Sequence, residues 1–153
     1  MNLKTDAIVL SVQKLKDNSS LVNFYTREVG RSSFLLYGAH GKKHSNCAAY
    51  LHPLSVVNID VNLRNSRPLN TIREMRVADA NPELLFNPVK SALSFFMSEV
   101  LLQVLRTNER DEILFDFIRN SVLMLNESEK GLGNFHILFL IRLTRFLGFQ
   151  PDS

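Results

Sequence analysis

The chain changes its hydrophobic period part-way along. Up to Ala78 the apolar residues come in short bursts rich in Val, Ile, Thr and Tyr: Ala7–Val12, Leu21–Tyr25, Phe34–Tyr37, Leu54–Leu63 and Leu69–Val77. Turn formers separate them at Asp17-Asn18, Gly30-Arg31, Gly38 to Asn46 and Asn65-Ser66, the signature of consecutive strands. From Asn81 onward the period lengthens to about 3.6, the spacing of helices packed by one face. The two patterns need different architectures, so two units are expected: residues 1–78, built of strands, and residues 79–153, built of helices. At 153 residues there is room for little more than that.

Five short strands, with one helical turn expected over Cys47–Leu51 after the third, follow the plan of an OB-fold, a small Greek-key barrel. An SH3-like barrel is the alternative. In the second unit, Asn87-Pro88 reads as N-cap and first residue of a helix to about Arg106, with a narrow polar stripe of Lys90, Ser91, Ser94, Ser98 and Glu99. A second helix starts near Arg110–Glu112 and ends near Asn126. Asn134 is expected to cap a third, which Gly148 and Pro151 stop after Leu147. That third helix is almost wholly apolar from Phe135 to Ile141, which predicts the buried helix of a small bundle. Two neighbours cannot cover such a helix all round, so uncovered apolar surface and self-association are expected.

Charge divides at the same place. Residues 1–78 carry eleven basic and five acidic residues, a net +6, whereas 79–153 carry seven basic and ten acidic, a net −3. The basic residues of the first unit gather at its turns: Lys14 and Lys16, Arg27 and Arg31, Lys42 and Lys43, Arg64 and Arg67. OB-folds hold oligonucleotides with the loops joining strands 1 to 2 and 4 to 5 and with the face of strands 2 and 3, so these eight are candidate nucleic-acid contacts. Tyr25 and Tyr37 on that face are candidates for stacking on bases.

Other chemistry is poorly represented. His40, His44, Cys47 and His52 offer zinc-ligand types, but a single thiol lacks the paired C-x2-C anchor, and no metal site is expected. Leu36 stands where a P-loop ending at Gly41-Lys42 needs glycine, and neither G-x-S-x-G nor G-x-G-x-x-G occurs. The carboxylates of the first unit are dispersed, so neither catalysis nor a cofactor is expected. His136 reads as a core histidine, and Arg142 and Arg145 as residues that either reach solvent or receive a partner's carboxylates. Without a signal peptide or an apolar stretch near 20 residues, a cytosolic location with no membrane contact is expected.

The order of several short segments resembles one family. Leu3-Lys4-Thr5 with Ala7-Ile8-Val9-Leu10, then Ser20-Leu21-Val22, Tyr25-Thr26-Arg27-Glu28-Val29-Gly30-Arg31 and Tyr37-Gly38-Ala39 before a basic loop, are similar to the N-terminal domain of RecO, a bacterial recombination mediator. Pro88-Val89-Lys90-Ser91-Ala92-Leu93, Leu114-Phe115-Asp116-Phe117 and Asn134-Phe135-His136 running to Leu147-Gly148-Phe149-Gln150-Pro151 resemble that family's helical domain. The resemblance implies a non-catalytic OB-fold protein of DNA repair that binds single- and double-stranded DNA and anneals strands. It also implies partnership with RecR, contact with the acidic C-terminal tail of the single-strand-binding protein, indirect action on RecA, and a place at the nucleoid. His40-Gly41-Lys42-Lys43-His44 is milder than the arginine-rich loop frequent in the family. Members continue past the position of Pro151, some with a cysteine zinc motif, so a truncated form with incomplete partner surfaces is expected. A different reading of the same residues is an OB-fold protein-interaction module that does not touch DNA.

Overall fold

A computed structural model describes residues 1–16, 18–38, 51–64, 66 and 68–148. Five strands, β1 (Asn2–Lys16), β2 (Ser19–Thr26), β3 (Gly30–Tyr37), β4 (Val56–Asn62) and β5 (Asn70–Asp79), close into a barrel in the order β1-β2-β3-β5-β4. All neighbours are antiparallel except β3 and β5, which meet in parallel through only Phe34↔Asn70 and Leu35↔Thr71. This is the OB-fold arrangement. The expected turn at Cys47–Leu51 falls largely outside the described residues.

Alternation builds the barrel core. Ala7 and Val9, Val22 and Phe24, Phe34 and Leu36, and Val57, Ile59 and Val61 point inward and are buried with Ile72 and Met75. The run Ala7–Leu10 does not alternate, because β1 is covered on both sides: Ile8 and Leu10 point out of the barrel into a second core shared with the helices.

Four helices follow: α1 (Glu83–Phe86), α2 (Pro88–Val104), α3 (Glu112–Glu127) and α4 (Leu132–Phe146). Asn87 Oδ1 caps α2 by accepting from the Val89 and Lys90 N–H groups at 3.0 and 3.2 Å, and Asp111 caps α3 by accepting from Leu114 N–H at 3.0 Å. No described helix is long and apolar enough to cross a membrane.

Three expectations need correction. The short helix α1 has no counterpart in the periodicity, being a single turn. Gly131, in the left-handed region at φ 77°, rather than Asn134, precedes α4, and Asn134 N–H merely donates to Gly131 O at 3.3 Å. Nor is α4 the buried helix. It buries only Phe139 and Leu143, leaving Ile137, Leu138 and Ile141 exposed, while α3 sits in the middle with Leu114, Phe115, Ile118, Val122 and Leu125 covered.

Much of the polar stripe of α2 turns inward: Lys90, Ser94 and Ser98 are buried and Ser91 is half-buried, whereas Glu99 is exposed, as are Val89, Phe95 and Phe96. The serine hydroxyls are satisfied within their own helix, donating to Ser91 O at 2.7 Å and Phe95 O at 2.9 Å. Their small size lets α2 lie against β1. Lys90 Nζ donates to Asn126 O at 2.6 Å, neutralising a carbonyl that the end of α3 leaves unpaired.

Candidate nucleic-acid interface

The outer face of β1, β2 and β3 divides into two halves, and the division decides which residues can meet a ligand. In the open half, Asn23 of β2 stands opposite Ser11 of β1 and Ser33 of β3. Its Nδ2 donates to Ser11 Oγ at 2.7 Å and its Oδ1 accepts from Ser33 Oγ, so a polar ladder spans three strands. One step along, Leu21 lies between Gln13 and Leu35, and beyond it Ser19 lies between Lys16 and Tyr37. Tyr37 shares the face of Ser33 and Leu35 by strand alternation and is 49% exposed. Lys14 and Lys16 are exposed at the same tip, which Gly38 N–H closes by donating to Asn18 O at 3.0 Å. This half is an open sheet with hydroxyl, amide and aromatic groups on it and ammonium groups at its edge.

The helices occupy the other half, and there the structure buries one sequence candidate, Tyr25, against the expectation of a stacking ring, and engages two others, Arg27 and Arg31. Tyr25 is only 2% exposed. Its ring packs on Phe115 with centroids 5.9 Å apart, and its hydroxyl donates to Asp111 O at 3.4 Å. Burial, reinforced by the charges of Asp111 and Glu109, pushes the phenol well above its ordinary pKa. No ring face is left for a base. Arg27 donates to Asp116 Oδ1 at 2.5 Å and lies 4.7 Å from the Phe115 ring centroid, a cation–π contact. Arg31 Nη1 donates to Leu102 O at 2.7 Å and Leu105 O at 3.4 Å, satisfying carbonyls at the end of α2. The three side chains hold the helices on the barrel, through contacts with residues that come from far along the chain.

Arg119 of α3 completes this attachment. Its guanidinium donates from Nε and Nη2 to both oxygens of Asp79 at 2.8 and 2.7 Å, and from Nη1 to Asp6 Oδ2 at 2.7 Å. Burial opposes the charge on Asp6, but hydrogen bonds from Asn58 and Arg119 and the charges of Arg119 and Arg27 outweigh it and hold the carboxyl below its usual 3.8. Gly30, at φ 71°, passes so close to the α2–α3 connection that a Cβ would lie 2.2 Å from Glu109 O. Next to it Arg31 bridges Thr107, and Asn108 N–H donates to Arg31 O at 3.0 Å.

Of the remaining sequence candidates, Arg64 is exposed on the β4–β5 connection and its N–H donates to Asn70 Oδ1 at 2.9 Å. Lys42, Lys43 and Arg67, with His40, His44 and Cys47, lie outside the described residues. His52 is half-buried with Nδ1 3.1 Å from Pro53 O. His136 is half-buried edge-on to Phe96 at 5.7 Å, and Arg142 and Arg145 are exposed on α4. The ladder Ser11–Asn23–Ser33 was not singled out from sequence. Its signal was there, as polar residues two apart from Leu21 and Leu35 on the outward positions of paired strands.

Comparison with known proteins agrees with this architecture. Residues 1–81 match the family described as Recombination protein O N terminal, and residues 85–153 match Recombination protein O C terminal. Among similar proteins are those named DNA repair protein RecO from Azobacteroides pseudotrichonymphae, 36% identical over 153 residues, and Bacteroides fragilis, 34% identical over 149. A protein of that name from Flavobacterium psychrophilum is 31% identical over 153 residues. Nearly all of the chain is covered in each case, but the chain spans only 62–64% of the length of these relatives. With a barrel and a helical unit matched in sequence to the two halves of one family, in the same order, the chain belongs to the RecO family.

Proposed function

We propose that this chain is a non-catalytic DNA-binding mediator of DNA repair and recombination, which holds DNA on the open half of the barrel face. The observation that carries the reading is that half-face itself: a sheet bearing Ser11, Asn23, Ser33 and an exposed Tyr37, edged by Lys14 and Lys16. Ammonium groups at the edge neutralise phosphates of either single or double strands, and an exposed ring stacks on any base. Contacts of that kind leave base edges free, which is what annealing of complementary strands requires. No nucleotide triphosphate is needed for such a step.

The relatives are named DNA repair proteins, and the reading extends to the machinery of that process. With RecR the protein would help load RecA onto single strands coated by single-strand-binding protein, acting in the cytoplasm at the nucleoid. Arg142 and Arg145, exposed along α4 beside Ile137, Leu138 and Ile141, suit the acidic tail of the single-strand-binding protein, which needs cations next to apolar surface. The test is fluorescence anisotropy with labelled single-stranded and duplex oligonucleotides over a salt series. Binding that weakens steeply with salt and differs little between base compositions is expected. Absence of binding at low salt would leave the chain as a protein-interaction module.

A further inference from the structure

Exposed apolar side chains of the helical unit stand with acidic groups at one end and with arginines at the other. At the first end α1 packs on the last turn of α3, where Glu83 N–H donates to Asn126 Oδ1 at 2.9 Å. Phe86 is 76% exposed there, and Leu85 and Leu123 are open as well. Glu127 and Glu129 are exposed at the same end, and Glu83 lies 3.8 Å from Lys90 Nζ. Three glutamates against Lys90 and Lys130 leave this end net negative. The chain then turns at Gly131 into α4, which places Arg142 and Arg145 roughly 15–20 Å along the helix, at about 1.5 Å per residue. Phe117, in the first half of α3, stacks on Phe139 and Phe146 at 5.7 and 4.4 Å, so the second half of α4 lies beside the start of α3 and away from Glu127. Leu138, Ile141 and Phe146 are exposed around the two arginines. The carboxylates at the start of α3 face other cations, Asp116 toward Arg27 and Glu112 toward Arg110, and do not neutralise this face.

Pairing either face with its own copy puts like charges together, glutamate on glutamate or arginine on arginine, which is repulsive. Pairing the two different faces puts opposite charges together around an apolar contact. We infer that this chain docks a second copy of itself through that cross-contact, the acidic end around Phe86 of one copy seated on Leu138, Ile141, Arg142 and Arg145 of the other. The charges set the register, and the exposed apolar groups supply the burial. The arginines are those read above as receiving an acidic tail, so a second copy and such a tail present the same chemistry and compete for one seat. All of the contact lies in the helical unit, which leaves the open half of the barrel face free.

Light scattering over a dilution series measures association of the wild type, of Glu127→Lys combined with Glu129→Lys, and of Arg142→Glu combined with Arg145→Glu, with circular dichroism checking that each is folded. The wild type should gain mass with concentration, and each double variant should associate at least about tenfold more weakly, because it sets like charges face to face. An equimolar mixture of the two double variants should recover association to within about threefold of the wild type, since each meets the opposite charge in the other. Association of the wild type should weaken as salt rises. Phe86→Ser, at an exposed position outside the core, should weaken association without changing that salt dependence. A wild type that stays monomeric, a double variant or Phe86→Ser that associates as strongly as the wild type, or folded double variants whose mixture stays monomeric would overturn the contact. DNA takes no part in these measurements, so their failure leaves the DNA-binding reading standing.

Discussion

Replacing Arg119 with Met tests whether the helices are held on the barrel as described. Methionine preserves most of the apolar stem, so the change isolates the guanidinium. Three charge-assisted hydrogen bonds disappear, and Asp6 and Asp79 lose their main cation. Breaking a fully buried pair costs about 3–5 kcal/mol. These side chains are 23%, 28% and 25% exposed, so water screens part of the effect, and about 2–3 kcal/mol is expected. For a protein of this size that corresponds to a fall in melting temperature of roughly 4–12 °C. Urea unfolding at neutral pH, followed by circular dichroism, gives the free energy directly. The effect should also depend on pH. Because the folded-state pKa of Asp6 is held below 3.8, its contribution is present above that value and fades as pH falls through the lower, folded one. The gap between wild type and variant should therefore narrow in acid. A destabilisation below about 0.5 kcal/mol at neutral pH, the range of an ordinary surface change, would refute the assignment.

Other consequences follow from single positions. Gly30→Ala should cost at least about 3 kcal/mol by urea denaturation, since it combines a left-handed backbone with a Cβ 2.2 Å from Glu109 O; a cost under about 1 kcal/mol would show that the α2–α3 connection yields easily. Burial lowers the His52 pKa, so the folded protein keeps it neutral while the unfolded chain takes up a proton near 6.5. Stability should fall as pH drops through that value, and the fall should be shallower in His52→Gln when urea midpoints are compared. The exposed Phe95, Phe96, Ile137 and Leu138 lead us to expect concentration-dependent self-association in light scattering. Phe95→Ser with Leu138→Ser should reduce it, and a wild type that stays monomeric at every concentration would refute it.

The barrel and the cap of α2 were legible because they depend on local chemistry. Turn residues separated the five strands, although β1 extends well beyond the burst Ala7–Val12, and Asn87-Pro88 located the start of α2 to the residue. What the sequence concealed was contact between distant segments. Arg27 and Arg31 look like free loop cations until Asp116 and the Leu102 and Leu105 carbonyls, some seventy to ninety positions away, are placed beside them. Tyr25 carries the same pattern signal as Tyr37, and only the position of Phe115 distinguishes a buried ring from an exposed one. The inverted polarity of α2 was hidden because serines that donate to their own helix behave as small apolar residues, and because Lys90 finds its partner at the far end of α3. The apolar run of α4 encouraged the opposite mistake, since hydrophobicity alone does not say which side of a helix has a neighbour.

The most direct test of the central claim is the salt dependence of single-strand binding after Lys14→Ala and Lys16→Ala are combined. These lysines are exposed at the tip of the open half-face and make no interaction that the fold needs among the described residues. If both touch phosphates, the slope of log affinity against log salt should flatten by about 1.4, at roughly 0.7 for each phosphate of a single strand that is no longer neutralised. Tyr37→Ala, which removes a ring and no charge, should lower affinity without changing that slope. A double variant whose slope equals that of the wild type would contradict DNA binding on this face.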